Sequence, residues 1–138
     1  MNPIEVVDVL QKCAAFDRRT IGEADAFAWH EILAPFPKAD ALMAVTAWYR
    51  ERREMAMPSD VLAEVHKIRR ARVHGLSEED FAPDIGAVHH GAEARGYVDT
   101  IRARRSLVLD GMPLADAIAA VPVPDGVPLA IEWTRSEQ

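Results

Sequence analysis

The chain has one cysteine, Cys13, so it has no internal disulfide framework, and this usage fits a reducing compartment. Long hydrophobic runs are also missing. The longest apolar stretch, Ala117–Val123, is interrupted by Pro122, whereas a membrane-spanning helix needs about 20 apolar residues. No membrane segment is expected. Glu5 stands where a secretory leader would carry positive charge, so no signal peptide is expected either. There is no Gly-x-x-x-x-Gly-Lys-Ser/Thr, no Gly-x-Gly-x-x-Gly and no Cys-x-x-Cys. These absences close the common routes to a nucleotide-hydrolysing motor, a Rossmann enzyme or a zinc module, and no cofactor is expected.

What is present is an ordinary globular composition: 138 residues, 49% apolar and 28% charged. That length allows one domain, or a small domain with an appendage. The net charge of −6 is unevenly placed. Residues 1–74 balance eleven acids against eleven bases, whereas residues 75–138 set eleven acids against five bases. Glycine shifts at the same place, with Gly22 alone before position 75 and six from Gly75 onward. Two coincident shifts predict a boundary near Gly75. The expected organisation is a helical bundle over 1–74, a linker over 75–96, a helical partner-binding segment over 97–121 and a tail over 122–138.

The first part carries strong helix punctuation. Asn2-Pro3-Ile4-Glu5 joins an N-cap, a first-turn proline and a capping-box acid. Ile4, Val7, Leu10, Cys13 and Ala14 follow at helical spacing, which predicts a helix over about 3–16. Thr20-Ile21-Gly22-Glu23 reads as a second capping box, with Ala24, Phe27, Ala28 and Ile32 as the inward stripe of a helix ending before Pro35. A third helix is predicted from about Pro37 to Arg53, carrying Leu42, Val45, Trp48 and Tyr49. A fourth begins at Pro58-Ser59-Asp60, with Val61, Val65 and Ile68 inward. Short loops favour packing of sequential helices. The fold class expected is all-α: a four-helix N-terminal bundle followed by a partly ordered helical region. In the second half, Ser77–Asp80 can start a short helix limited by Pro83. A helical pattern returns with Tyr97, Ile101, Leu107 and Val108, Gly111-Met112-Pro113 interrupts it, and Leu114–Val121 can form a last helix.

Several clusters of side chains carry candidate chemistry. Lys67, Arg69, Arg70 and Arg72 crowd the end of the fourth helix, near Arg50, Arg52 and Arg53. Cations there are favoured by the helix macrodipole without any ligand; the functional reading is a weak, sequence-independent DNA contact through those four residues. The third and fourth helices also suit a helix-turn-helix regulator, although Asp60 and Glu64 on the second of them would repel phosphate. Trp48 and Tyr49 are adjacent, so one is expected to pack inside and the other, Tyr49, to sit at the rim with its hydroxyl in water. His66, His74, His89 and His90, with Glu93, supply no tetrahedral ligand set, so no metal is expected. No nucleophile–base motif stands out, and no catalytic residue is assigned.

The stretch Phe16–Ala26, Trp29-His30, Ala44-Val45 with Trp48-Tyr49-Arg50, Met57–Val61 and Ile68–Arg72 resembles small proteins of actinobacterial phages and prophages, similar to the helicase loader/inhibitor proteins of Gram-positive phages. The resemblance spans about residues 1–74. It implies a non-enzymatic replication adaptor that works in the bacterial cytoplasm. An all-helical N-terminal domain would be joined to a C-terminal region that engages a hexameric DnaB-type replicative helicase. On that expectation Tyr97, Ile101, Leu107 and Val108 form the partner-binding stripe. Weak DNA contact and self-association are compatible with it. The alternative is the small DNA-binding regulator.

Overall fold

In a computed structural model of the chain, residues 1–83 and 92–123 are described, with side chains from Arg95 onward in the second stretch. The described residues are all helical, without a strand. Contacts divide the chain between Arg72 and Val73 into two compact units.

The first unit contains α1 (Pro3–Asp17), α2 (Glu23–Leu33), α3 (Lys38–Glu51) and most of α4 (Pro58–Val73). Asn2 starts α1 as the sequence predicts. Its side chain accepts from the Glu5 amide at 2.9 Å, and the Glu5 carboxylate accepts from the Asn2 amide at 2.8 Å. Arg18 ends the helix in the left-handed region at φ 58°, unusual for a residue with a side chain, and its amide bonds back to Ala14. The core gathers Val6, Val9, Leu10 and Cys13 of α1, Ala26, Trp29 and Leu33 of α2, Ala41, Ala44 and Val45 of α3, and Val61 and Val65 of α4. The alanines of α3 let it lie close against α1, where Lys12 reaches the Leu42 carbonyl at 2.7 Å.

Helix α2 differs from the expectation in two ways. Its cap is Gly22, not Thr20, and Asp25 accepts from the Gly22 amide at 2.8 Å. Its core face is Ala26, Trp29 and Leu33; the expected inward stripe of Ala24, Phe27, Ala28 and Ile32 points to solvent. Both sets satisfy three- and four-residue spacing. Trp29 decides the rotation because it offers the largest area to bury.

The second unit begins at Val73. Its described helices are α5 (Glu78–Phe81), α6 (Ala92–Leu109) and α7 (Leu114–Ala120). Gly75, at φ 83°, and Gly111, at φ 102°, take turn conformations that a side chain would strain. Phe81, Val108 and Ala117 form a second core, with Val73, Leu76, Ile101, Leu107, Met112 and Leu114 packed on it. The start of the expected 75–96 linker is therefore structural, since Leu76 and Phe81 belong to this core. The remainder of that segment and the tail lie mostly outside the described residues.

Candidate functional site

The basic stretch of α4 is largely engaged within its own unit. Asp40 of α3 is only 1% exposed. It accepts from Arg69 at 3.3 Å and from Arg72 at 2.9 and 2.5 Å. Burying a carboxylate is unfavourable unless charge and hydrogen bonds compensate, and the two guanidinium groups do so. Lys67 bonds Glu64 at 2.6 Å, and Arg52 approaches the same carboxylate at 3.4 Å. Helical rotation puts Lys67 and Arg70 of the phosphate-contacting set on one face of α4 and Arg69 and Arg72 on another. Arg69 and Arg72 turn inward to Asp40, while Arg70 is exposed. The spacing of α4 signals its cations but not this buried partner, because Asp40 is a lone acid between alanines.

A second polar cluster closes the other end of the unit. Arg19 clasps the Asp17 carboxylate with contacts from 2.5 to 3.1 Å and donates to the Ala56 carbonyl at 2.7 Å. The Tyr49 hydroxyl donates to Asp17 and accepts from the Ala56 amide at 3.1 Å. Tyr49 is therefore not the wet rim residue expected from the sequence. Its ring stacks on Phe16 at 4.8 Å, and Arg19 lies over Trp29 at 5.3 Å. The Arg19 hydrogen bond, helped by Tyr49, holds the Asp17 carboxyl at about 2, below its usual value, against the opposing effect of burial. Burial raises the Cys13 thiol to about 11, so it is a thiol and an unreactive core group at neutral pH. This cluster ties the end of α1 to the loop before α4. Each of its polar groups is occupied, which is the arrangement of a structural latch.

The outward side of α1 and α2 is different. Ile4 is 78% exposed and Phe27 55% exposed. Between them a shallow groove of about 400 Å³ is floored by Val7, Ile21 and Ala26. The helical spacing of the sequence predicts Ile4 and Phe27 as inward residues, and their exposure is what opens this groove. A larger depression of about 610 Å³ beside Trp48 is lined by Arg52, Arg53, Glu51, Glu54 and Asp60, with Arg52 stacked on the indole at 4.3 Å. Its mixed charges compensate one another.

The stripe of Tyr97, Ile101, Leu107 and Val108 is placed mainly by the second core. Val108 is buried, Ile101 and Leu107 pack against that core, and Tyr97 is half-buried. Intramolecular packing therefore accounts for most of that apolar pattern. Arg104, on the same helix, is buried; it donates to the Phe81 carbonyl at 3.1 Å and to the Val121 carbonyl at 3.0 and 2.9 Å. Burial lowers its pKa from the usual arginine value. Among the described residues no group of three or more His, Cys, Asp or Glu is arranged to hold a metal. His89 and His90 lie outside them, as does the Glu93 side chain. No described helix is long and apolar enough to cross a membrane. No family model matches the chain, and neither a curated protein nor a solved structure matches it.

Proposed function

We propose that the chain is a non-enzymatic adaptor of phage replication that binds a DnaB-type replicative helicase and loads or restrains it on DNA. The phage-like residues of the first unit suggest the partner. The observation that carries the adaptor reading is the exposed apolar surface of α1 and α2, with Ile4 and Phe27 outside any core of the described residues. Such a surface suits a protein partner better than a phosphate backbone. The regulator alternative is weakened by the inward turn of Arg69 and Arg72 to Asp40. Lys67 and Arg70 leave room only for weak, salt-sensitive DNA contact.

The test is calorimetry of the full chain against the purified helicase of the host or phage. A saturable complex of defined stoichiometry supports the reading. Absence of heat and of co-migration in size-exclusion chromatography overturns it. Tight binding to one duplex sequence at physiological salt would favour the regulator instead.

A further inference from the structure

The groove between α1 and α2 combines an apolar floor with charge of one sign. Glu23, Phe27 and Glu31 are four residues apart, so they form one column along the outer face of α2. The column places carboxylates before and after the exposed phenyl ring, about 12 Å apart along the axis. Neither Glu23 nor Glu31 has an ion-pair partner among the described residues, and α2 contains no Lys or Arg. On the facing helix, Pro3, Ile4 and Val7 border the groove.

We propose that this groove is a docking site for a basic amphipathic helix of a partner protein. The partner helix would set Leu-, Ile- or Phe-sized side chains between Ile4 and Phe27, and Lys or Arg beside Glu23 and Glu31. Helix-in-groove recognition uses this combination of apolar anchors and flanking charges. A second copy seated by two-fold symmetry would bring Glu23 and Glu31 against their own mates, which is repulsive. Nucleic acid is disfavoured by the same carboxylates. The proposal rests on the adaptor reading only for the existence of a protein partner, not for its being a helicase.

The probe is a fluorescein-labelled amphipathic peptide of about 14 residues, built from Leu and Lys, with a Leu and Glu version as control. Both are titrated into the full chain, isotopically labelled so that amide shifts locate the contact. The Lys peptide should bind, shift the amides of Ile4, Ile21, Phe27 and Glu31, and weaken about tenfold or more between about 50 and 300 mM salt. Phe27→Ser and the pair Glu23→Gln/Glu31→Gln should each weaken it about tenfold. Phe27 is outside the core, so circular dichroism of Phe27→Ser should match the parent chain. Equal binding of the Glu peptide, unchanged affinity in both variants, or shifts confined to residues beyond Val73 would overturn the proposal. So would sedimentation showing a dimer that Phe27→Ser dissociates, since a second copy would then cover the groove. If the peptide binds as stated and the helicase does not, the choice of helicase fails and the groove stands.

Discussion

Arg72 holds the buried carboxylate of Asp40 through two contacts, at 2.5 and 2.9 Å, from one helix to another across the first unit. This pairing turns a basic sequence into an internal fastening of α4 onto α3, with Arg69 as the third member. It also changes what mutagenesis of the basic stretch reports. Loss of DNA affinity on replacing Arg69 and Arg72 would follow from loosened packing as readily as from lost phosphate contacts. Arg70→Ala, at an exposed position, is the cleaner probe of DNA.

Asp40→Ala should destabilise the first unit by about 3–5 kcal/mol, because it leaves two partly buried guanidinium groups without their anion. Arg70→Ala should change stability by less than about 0.5 kcal/mol, as surface substitutions generally do. Urea unfolding followed by circular dichroism compares them. Equal effects of the two changes would mean that the triad contributes no more than a surface charge.

The Asp17 carboxyl predicts a specific acid sensitivity. Its folded pKa, about 2, is below the ordinary 3.8, so the unfolded state binds its proton first. The associated stability is fully present above about pH 4 and is lost as pH falls towards about 2. The magnitude is about 2 kcal/mol. Asp17→Asn should be less stable at neutral pH but show a flatter stability profile between about pH 4 and 2. A parallel profile in the two proteins would show that Asp17 does not set the acid response.

Tyr49→Phe tests the latch from the other side. The phenol accepts from the buried Ala56 amide and donates to Asp17, so its removal leaves one buried donor unpaired and one carboxylate less well held. The expected loss is about 1–3 kcal/mol. Hydrogen exchange should rise first at Ala56, next to the start of α4, and a variant with unchanged protection there would contradict the network.

The four helices of the first unit were legible because local signals agreed: Asn2 and Glu5 at one start, Pro58 at another, and apolar residues at helical intervals. The rotation of α2 was not legible, since Phe27 and Trp29 lie on different apolar stripes and spacing alone does not choose between them. The candidate sites were less legible still. Arg69 and Arg72 look available along the sequence, and only the fold brings Asp40 to them from 29 and 32 residues away. Likewise, Ile101, Leu107 and Val108 read as an unpartnered stripe because Phe81 and Ala117, which cover them, sit in segments with weak or short patterns. The exposed groove emerged only when Phe27 proved to face outward.

The second unit yields the last prediction. Arg104 is 3% exposed and places its guanidinium against the carbonyl of Phe81, the last residue of α5, and that of Val121, just past α7. Carbonyls at helix ends lack intrahelical partners, and a cation there satisfies them and suits the helix dipole. Arg104→Met keeps much of the apolar stem but removes all these donors, so it should destabilise the unit by about 2–3 kcal/mol. Arg105→Ala, at an exposed neighbouring position, should have an effect below about 0.5 kcal/mol. Hydrogen exchange resolved by segment is the suitable measurement, because it reads residues 97–121 separately from the first unit. Arg104→Met should raise exchange throughout α6 and α7 and leave α1–α3 unchanged. Val108→Asp should do the same by placing a carboxylate in the core beside Phe81. A partner lost by Val108→Asp would then report lost packing; one retained by it would bind elsewhere. If Arg104→Met leaves exchange in α6 and α7 unaltered, the carbonyl contacts of Arg104 contribute little and the second core holds these helices by apolar packing alone.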